Sequence, residues 1–578
     1  MPQPRAHQTR RVWVPAGFFG VCALVLFARL IQVQVLEHGH YANIAEAELG
    51  ASEQLFGRRG SILDRNGNVL ATSIDTWDIY VSAQAWKDPQ KALRSSEALG
   101  KELKLDPAVL RERVRDKAYG DIRIRADLDY EAGIALQKQK IDGLVAVPNT
   151  ARVNPDGDIA ASVLGFIGDD NDGRSGIEAA LNDTLTGKPG KIIYERTTAG
   201  APIPFGQSIV DPAEEGKDVV LTIDRYIQQL AEQRLAQAVT EHRAKGGSIV
   251  IMDPRTGAIL ALATTPGLKF SQLPISDPKQ IELLKNRSVT ETYQPGSVMK
   301  AITAAAAIDA GVVTPNTGYT DVGYVKQYDV EIKNFKGESW GNQTMTGVLQ
   351  HSINTGAIFM ARLLGKEKFG AYQEAFGFGK PTGVELSGES GGFYNHYTDK
   401  NWTIADFWTQ SFGQGINVTV LQMTSAFTAV INGGTLLKPH LVKSYVGEDG
   451  RRQEVGRDAV GQPISAATSA TLRQMLQDVI MPPEIGHPGK PRDYTAGGKS
   501  GTADIEAING LPSGKLIVSF IGFAPAIDPQ IVVYVMLDEN ADGKTGAEAA
   551  APVFSKLVDD TLHYLNVTPD GARYVGAR

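Results

Sequence analysis

Cysteine is nearly absent from this sequence of 578 residues, because Cys22 is the single one. An intrachain disulfide is therefore excluded, and the fold must depend on the packing of its side chains. Structural zinc sites usually use several closely spaced Cys and His ligands, and the nine His residues do not have that spacing. We therefore predict no metal site.

An excess of basic residues is also lacking, since 58 Lys and Arg stand against 65 Asp and Glu for a net charge of −7. Nucleic-acid ligands need a basic field, so this charge argues against nucleic acid as the main ligand. The composition, 42% hydrophobic and 21% charged, is ordinary for a globular protein. The chain is too long for one hydrophobic core, which predicts two or more folded domains.

An uncharged run of 17 residues, Val12–Ala28, follows a basic N-terminus. As a helix this run would be about 25 Å long. Apolar residues continue beyond Arg29 as far as Leu36. Because a long Arg side chain can reach the lipid–water interface, the sequence predicts a transmembrane anchor over residues 12–36.

The basic residues Arg5, Arg10 and Arg11 predict the orientation of this anchor. By the positive-inside rule, residues 1–11 form a cytoplasmic tail. The residues after the anchor then lie on the periplasmic or extracellular side of the cytoplasmic (inner) membrane. The alternative is a cleaved signal peptide, which requires small residues at a cleavage site. None are well placed after the run, so a single-pass anchor is favoured.

Two regions of different character follow the anchor. Residues 37–215 are polar and mixed, with helical patterns over Pro89–Leu105 and Pro107–Arg115. Residues 216–578 begin and end with strand-like apolar runs and have a long, mainly helical stretch between them. The predicted strands and helix are Val219–Ile223, Ile227–Val239 (helix), the hairpin Ser248–Met252 with Ala258–Ala263, and the pair Leu516–Phe523 with Ile531–Leu537. This order predicts an α+β fold, an antiparallel sheet covered by helices.

A first chemical motif, Pro295-Gly296-Ser297-Val298-Met299-Lys300, precedes a run of helix-forming residues. Pro and Gly ahead of that run mark a helix start, which places Ser297 where backbone N–H groups favour negative charge. Lys300 follows at i+3 on the same face, within reach of the hydroxyl. A Ser hydroxyl needs a base, and a lysine with a lowered pKa can serve.

Two further motifs supply polar groups of complementary kinds. Ser352 and Asn354 are two residues apart and could relay a proton and hold a substrate amide. In the run Gly497–Ala503, Lys499 offers positive charge for a carboxylate, and Ser500 and Thr502 add hydroxyls. The alternative for the last run, a phosphate-binding loop, requires a glycine where Asp493 stands.

Ser-x-x-Lys, Ser-x-Asn and Lys-Ser-Gly are weak signals singly, but together they form a specific set. On this set the chain resembles the class B penicillin-binding proteins, monofunctional peptidoglycan D,D-transpeptidases. Further stretches match the family pattern from the anchor to the end of the chain. They are Arg59–Gly67, Ser175–Glu178, Leu221–Asp224, Ser411–Gly415 and Asn432–Gly434.

The resemblance implies a fold and a domain order. It predicts a penicillin-binding transpeptidase domain with a helical subdomain over residues 216–578. An elongated N-terminal pedestal, the penicillin-binding protein dimerisation domain, would occupy residues 37–215.

The resemblance also implies a role for each motif residue. Ser297 would attack the penultimate D-Ala carbonyl of a stem peptide, and Lys300 would take its proton. Ser352 and Asn354 would complete the proton network. Lys499, Ser500, Gly501 and Thr502 would bind the terminal carboxylate, and the backbone N–H groups of Ser297 and Thr502 would form the oxyanion hole. No metal or organic cofactor is needed, and β-lactams would acylate Ser297.

Several alternatives share these motifs. They are a β-lactamase or β-lactam sensor, a D,D-carboxypeptidase, a side-wall (elongation) transpeptidase, and a catalytically inert scaffold of the division machinery. The anchor and pedestal argue against a small secreted hydrolase, and the intact Ser297, Lys300 and Lys499 argue against an inert scaffold. The run Ala71–Val81 resembles the division (septal) type. Expected partners are stem peptides, a membrane-embedded glycan polymerase and other division proteins.

Overall fold

The computed structural model describes residues 7–37, 50–55, 57–117, 119–188, 190–195, 208–274, 277–481, 486–506 and 512–571. The chain divides into two compact units. One comprises Met1–Gly57 and Gly187–Glu215, and the other comprises Arg58–Thr186 and Gly216–Arg578. Residues 1–6 of the predicted cytoplasmic tail lie outside the described residues.

Before residue 216 the longest elements are the first two helices and strand β3. The helices are α1 (His7–Ile31), α2 (Pro89–Leu103), α3 (Pro107–Arg115), α4 (Tyr130–Lys138), α5 (Ala161–Leu164), α6 (Gly176–Ala180) and α7 (Asn182–Thr186). The strands are β1 (Gly50–Leu55), β2 (Ile62–Leu63), β3 (Val69–Ser82), β4 (Asp121–Asp129), β5 (Leu144–Val153), β6 (Gly190–Glu195) and β7 (Ser208–Asp211).

From residue 216 onward, the long strands lie near the two ends of the region and most of the helices lie between them. The helices are α8 (Arg225–Glu241), α9 (Arg287–Thr290), α10 (Met299–Asp309), α11 (Met345–Gln350), α12 (Asn354–Leu364), α13 (Lys366–Ala375), α14 (Ile404–Gln410), α15 (Val420–Ile431), α16 (Ala466–Ile480), α17 (Gly546–Ala549) and α18 (Ala551–Tyr564). The strands are β8 (Asp218–Leu221), β9 (Gly246–Met252), β10 (Ile259–Thr265), β11 (Gly318–Asp321), β12 (Tyr324–Gln327), β13 (Val330–Lys333), β14 (Gly341–Thr344), β15 (Phe393–Tyr394), β16 (Ile416–Asn417), β17 (Leu436–Leu437), β18 (Val442–Val446), β19 (Arg452–Glu454), β20 (Ala459–Gly461), β21 (Gly497–Glu506), β22 (Pro512–Ala524) and β23 (Ile531–Asn540).

The first unit contains the apolar N-terminal helix and a three-stranded antiparallel sheet in the order β1-β6-β7. The segment Gly17–Gln34 is long and apolar enough to cross a membrane, and large side chains such as Phe19 and Leu24 are exposed on the helix surface. A row of exposed apolar side chains is stable in lipid and costly in water. The expected anchor is therefore helical, and its orientation stays a prediction.

A five-stranded antiparallel sheet forms the centre of the second unit, in the order β10-β9-β23-β22-β21. Side chains alternate along its strands, so Ile249 and Ile251 pack with α8 and α18 while Val250 and Met252 pack with α10 and α15 on the other face. Because both faces are covered, strands β9, β10 and β23 are apolar at most of their positions. The predicted hairpin and the predicted α+β class are confirmed.

A second sheet connects the two parts of the same unit. Strand β8 pairs in parallel with β2 and antiparallel with β18, and β2 continues the sheet through β3 to β4 and β5. Residues 58–186 therefore share a sheet with residues from 216 onward. The domain boundaries predicted at 37–215 and 216–578 stay predictions.

A buried ion-pair network holds this part of the unit together. Glu178 accepts hydrogen bonds from Arg59 Nε at 2.6 Å and from Arg152 Nε at 2.7 Å. All three side chains are almost fully buried. Burial lowers the pKa of Arg152, while the Glu178 carboxylate opposes that shift. One carboxylate thus serves as the shared counter-charge of two guanidinium groups that have little access to water.

We predict that Glu178→Gln destabilises the fold by about 3–5 kcal/mol, because it leaves two buried guanidinium groups without a counter-charge. Urea denaturation of the detergent-solubilised chain, followed by circular dichroism, measures the loss. The control is Glu112→Gln, which breaks the exposed pair with Arg115 and should have little effect. Equal effects of the two substitutions would contradict the prediction.

Candidate active site

Ser297 lies on a tight turn that leads directly into α10. Residues Gly296–Val298 form a 3-10 turn, and every residue of α10 from Met299 to Ala307 is buried. The small Ala side chains of α10 let its neighbours pack closely on all sides. The helix therefore fixes Lys300, at i+3 from Ser297, in the interior rather than in solvent.

Two glycines allow the close approach of backbone around Ser297. Gly296 has a φ of +56°, and a Cβ at this position would lie 2.9 Å from the carbonyl oxygen of Thr502. Gly413 has a φ of +85°, and its Cβ would lie 2.0 Å from the carbonyl oxygen of Gly296. The Gly296 N–H donates to Gly413 O at 3.0 Å. These contacts bring the Ser297 turn against strand β21, next to the Thr502 backbone.

The Lys300 amine is surrounded by oxygen acceptors. Its Nζ lies 2.9 Å from Ser297 Oγ, 2.7 Å from Asn354 Oδ1 and 3.2 Å from Ser352 Oγ, and it also donates to the Ser352 carbonyl. Burial, and secondly the positive charge of Lys499, lowers the pKa of Lys300 well below its ordinary value. A lysine in this environment can be a neutral amine near neutral pH, and a neutral amine can accept the Ser297 proton.

Ser352 lies in the turn between α11 and α12, where its φ of +56° places it in the left-handed region. The Ile353 N–H donates to the Val348 carbonyl at 2.9 Å and closes this turn. A non-glycine residue in that region costs about 1 kcal/mol or more. The conformation directs Ser352 Oγ between the two lysines, 3.2 Å from Lys300 Nζ and 3.0 Å from Lys499 Nζ.

Strand β21 carries the third motif at the edge of the five-stranded sheet. Lys499 is buried, which lowers its pKa to about 7, and its Nζ also donates to the Ser500 carbonyl at 3.1 Å. A Cβ on Gly501 would lie 2.8 Å from the Pro295 carbonyl, so this glycine permits the contact with the Ser297 turn. The Thr502 hydroxyl accepts the Gly546 N–H at 3.1 Å.

The structure thus brings all the predicted site residues into one place. Ser297, Lys300, Ser352, Asn354 and Lys499 form a continuous chain of hydrogen bonds. Ser500, Gly501 and Thr502 follow Lys499 along β21 beside this chain. The alternative of a phosphate-binding loop requires a strand–loop–helix context, whereas this motif lies within a strand.

His351, which precedes Ser352, has a structural environment. Its ring stacks on Trp340 with the centroids 4.0 Å apart, and burial lowers its pKa. His487, by contrast, is affected by the charge of Lys499. Burial and then the charge of Lys499 lower the pKa of His487 to about 4, so it is neutral near neutral pH.

Sequence reasoning missed three contributors to this geometry. The run Ser411–Gly415 matched a family pattern without a role, and its Gly413 supports the Ser297 turn. His487 gave no signal because its neighbours in the sequence carry no motif. Asp321 and Asn334 flank the hairpin of β12 and β13 and contact α12, and only the tertiary structure reveals that contact.

Comparison with known proteins identifies two family domains in this chain. Residues 247–559 match the penicillin-binding protein transpeptidase domain, and residues 55–221 match the penicillin-binding protein dimerisation domain. The stage V sporulation protein D of Bacillus subtilis is 31% identical over 95% of this chain and 85% of its own length. The peptidoglycan D,D-transpeptidase FtsI of Escherichia coli is 26% identical over 98% of this chain and 95% of its own.

A solved structure extends the similarity to three dimensions. The crystal structure of penicillin-binding protein 3 from Mycobacterium tuberculosis complexed with aztreonam superposes with a TM-score of 0.68 at 27% identity. The alignment covers 90% of this chain and 98% of that one. With the transpeptidase-domain match spanning more than half of the sequence and relatives aligned along nearly all of it, the chain belongs to the class B penicillin-binding proteins.

Proposed function

We propose that this chain cross-links peptidoglycan stem peptides through an acyl-enzyme on Ser297. The observation that carries this proposal is the buried amine of Lys300, 2.9 Å from Ser297 Oγ and with a lowered pKa. Membership of a family that includes peptidoglycan D,D-transpeptidases supports the substrate class. β-Lactams acylate the same serine because they resemble the D-Ala-D-Ala end of the stem peptide.

The first half-reaction forms the acyl-enzyme. Ser297 Oγ attacks the penultimate D-Ala carbonyl while Lys300 Nζ accepts the hydroxyl proton. The backbone N–H groups of Ser297 and Thr502 stabilise the tetrahedral oxyanion, and such donors typically contribute about 3 kcal/mol each. The proton passes to the leaving amine through Ser352, whose Oγ contacts both lysines. The peptide C–N bond breaks, and the terminal D-Ala departs.

The second half-reaction transfers the acyl group to an amine of a second stem peptide. The amine attacks the ester carbonyl, loses a proton to the site, and forms the new amide while Ser297 Oγ recovers its proton. Lys499, with Ser500, Gly501 and Thr502, binds the terminal carboxylate of the donor before acylation. Lys499 is suited to this role because a buried cation attracts a carboxylate strongly. With a pKa of about 7, its amine carries that charge below neutral pH.

We predict that penicillin forms an adduct on Ser297 that persists for many minutes to hours. A transpeptidase must hold its acyl-enzyme until an amine arrives, so its site should activate water poorly. The measurement is the intact mass of the protein, followed over time after unbound drug is removed.

Ser297→Ala is the control and should yield no adduct. Loss of the adduct within seconds, with steady penicillin turnover, would instead favour the β-lactamase alternative. An adduct that survives Ser297→Ala would remove this residue from its role.

We also predict a bell-shaped pH dependence for the second-order rate constant of acylation. Protonation of Lys300 removes the base and produces the acid limb. The charge of Lys499 is present below its pKa of about 7 and is lost as the pH rises above it, which weakens carboxylate binding and produces the basic limb. The two lysines interact, so the limbs report the pair rather than either group alone.

Penicillin methyl ester tests the basic limb, because it lacks the carboxylate. The ester should react with no loss of rate above pH 7, and Lys499→Ala should remove most of the advantage of penicillin over the ester. A basic limb of the same size for both compounds would contradict the assignment of carboxylate binding to Lys499.

We propose a septal role for this transpeptidase, together with a membrane-embedded glycan polymerase and other division proteins as partners. The support is the run Ala71–Val81, which resembles the division type. The basic residues Arg5, Arg10 and Arg11 support a cytoplasmic N-terminus with the site on the outer side of the cytoplasmic membrane.

The cellular prediction is that a fluorescent protein fused to the N-terminus concentrates at midcell in the organism of origin. Depletion of the chain should produce filaments, because the septum fails to close while side-wall growth continues. Microscopy of both strains provides the measurement. A dispersed lateral signal with rounded, swollen cells would favour the side-wall alternative.

A further inference from the structure

A buried carboxylate organises the hairpin beside the candidate active site. Asp321, at the end of β11, is almost fully buried. It accepts hydrogen bonds from the Gly323 N–H at 3.0 Å, the Trp340 N–H at 2.8 Å and Asn334 Nδ2 at 2.8 Å. Burial alone would raise the pKa of Asp321, but its hydrogen bonds lower it below the ordinary value. The group is therefore an anion held by several donors.

The same carboxylate contacts the first turn of α12. The Thr355 hydroxyl lies 2.7 Å from Asp321 Oδ1 and 3.2 Å from Asn334 Oδ1, and its single proton is best placed for the nearer carboxylate. Asn334 Oδ1 also accepts the Thr355 N–H at 3.1 Å. Asp321, Asn334 and Thr355, the positioning network, are thus hydrogen-bonded to one another.

The positioning network borders Asn354 in two places, along α12 and at the end of β13. Thr355 follows Asn354 on α12, and Lys333 precedes Asn334 on the hairpin. The Lys333 carbonyl accepts Asn354 Nδ2 at 3.2 Å, which leaves Asn354 Oδ1 facing Lys300 Nζ at 2.7 Å. The hairpin therefore fixes both the backbone and the amide orientation of Asn354.

We propose that Asp321, Asn334 and Thr355 are positioning residues that hold Asn354 against Lys300 during acylation of Ser297. This inference rests on the proposed function. None of the three residues is hydrogen-bonded to Ser297, and they act through Asn354. Proton transfer depends steeply on the placement of the donor and acceptor, so a displaced Asn354 slows acylation while noncovalent binding of the β-lactam is kept.

The test uses the full-length chain in detergent and penicillin, with the acylation rate constant and the noncovalent dissociation constant measured separately by stopped flow. Thr355→Val removes the hydroxyl at nearly constant volume. It should lower the acylation rate constant on the order of 10-fold to 100-fold and leave the dissociation constant unchanged. Thr355→Ser keeps the hydroxyl and should retain most of the rate.

A double-mutant cycle separates positioning from general stability. If Thr355 acts through Asn354, then Thr355→Val should have no further effect on the residual rate in an Asn354→Ala background. If Thr355→Val lowers the acylation rate by the same factor in the unaltered chain and in the Asn354→Ala background, the proposal is overturned. A rate in Thr355→Ser as low as in Thr355→Val would also overturn it, because loss of packing would then explain the effect.

Thr468→Val is the matched control. The Thr468 hydroxyl donates to Asp309 at 2.9 Å in the first turn of α16, so the substitution removes the same kind of bond at the far end of α10 from Lys300. Its acylation rate should equal that of the unaltered chain. An equal loss in Thr468→Val and Thr355→Val would overturn the inference. Absence of any Ser297 adduct in the unaltered chain would instead overturn the proposed function.

Discussion

The amine of Lys300 has lost its contact with water, and the remainder of the candidate site depends on how that loss is compensated. A buried amine costs free energy unless oxygen acceptors surround it. Here Ser297, Ser352 and Asn354 provide those acceptors, from the start of α10 and the turn before α12. Each of these elements is held by side chains buried in the core.

Close packing of backbone on backbone is the second requirement. Gly296, Gly413 and Gly501 lie where a Cβ would collide with a neighbouring chain segment. The Thr303 hydroxyl, which donates to the Ser411 carbonyl at 2.7 Å, ties α10 to the loop that carries Gly413. These contacts place a turn, a loop and an edge strand within a few ångströms of one another. An alanine at any of the three positions would force them apart.

Much of this arrangement could be predicted from the sequence, because the signals lie within short segments of the chain. Apolar runs and turn residues identified the hairpin of β9 and β10, and short motifs identified Ser297, Lys300 and Lys499. Other features depend on contacts between distant segments. Strand β2 has only two residues and no periodic signal, yet it joins β8 to β3. Asp321 and Asn334 carry no motif because they form their contacts with α12, which lies beyond them in the chain.

Among the residues that the structure describes, strand β21 is an edge of its sheet, with β22 on one side only. An edge strand exposes a row of unpaired backbone groups, and an extended peptide can join it as a further strand. Main-chain pairing of this kind is largely blind to side-chain identity. A ligand recognised there is therefore selected by the shape and chirality of its backbone and by its charged end, so variation elsewhere in its sequence should be tolerated.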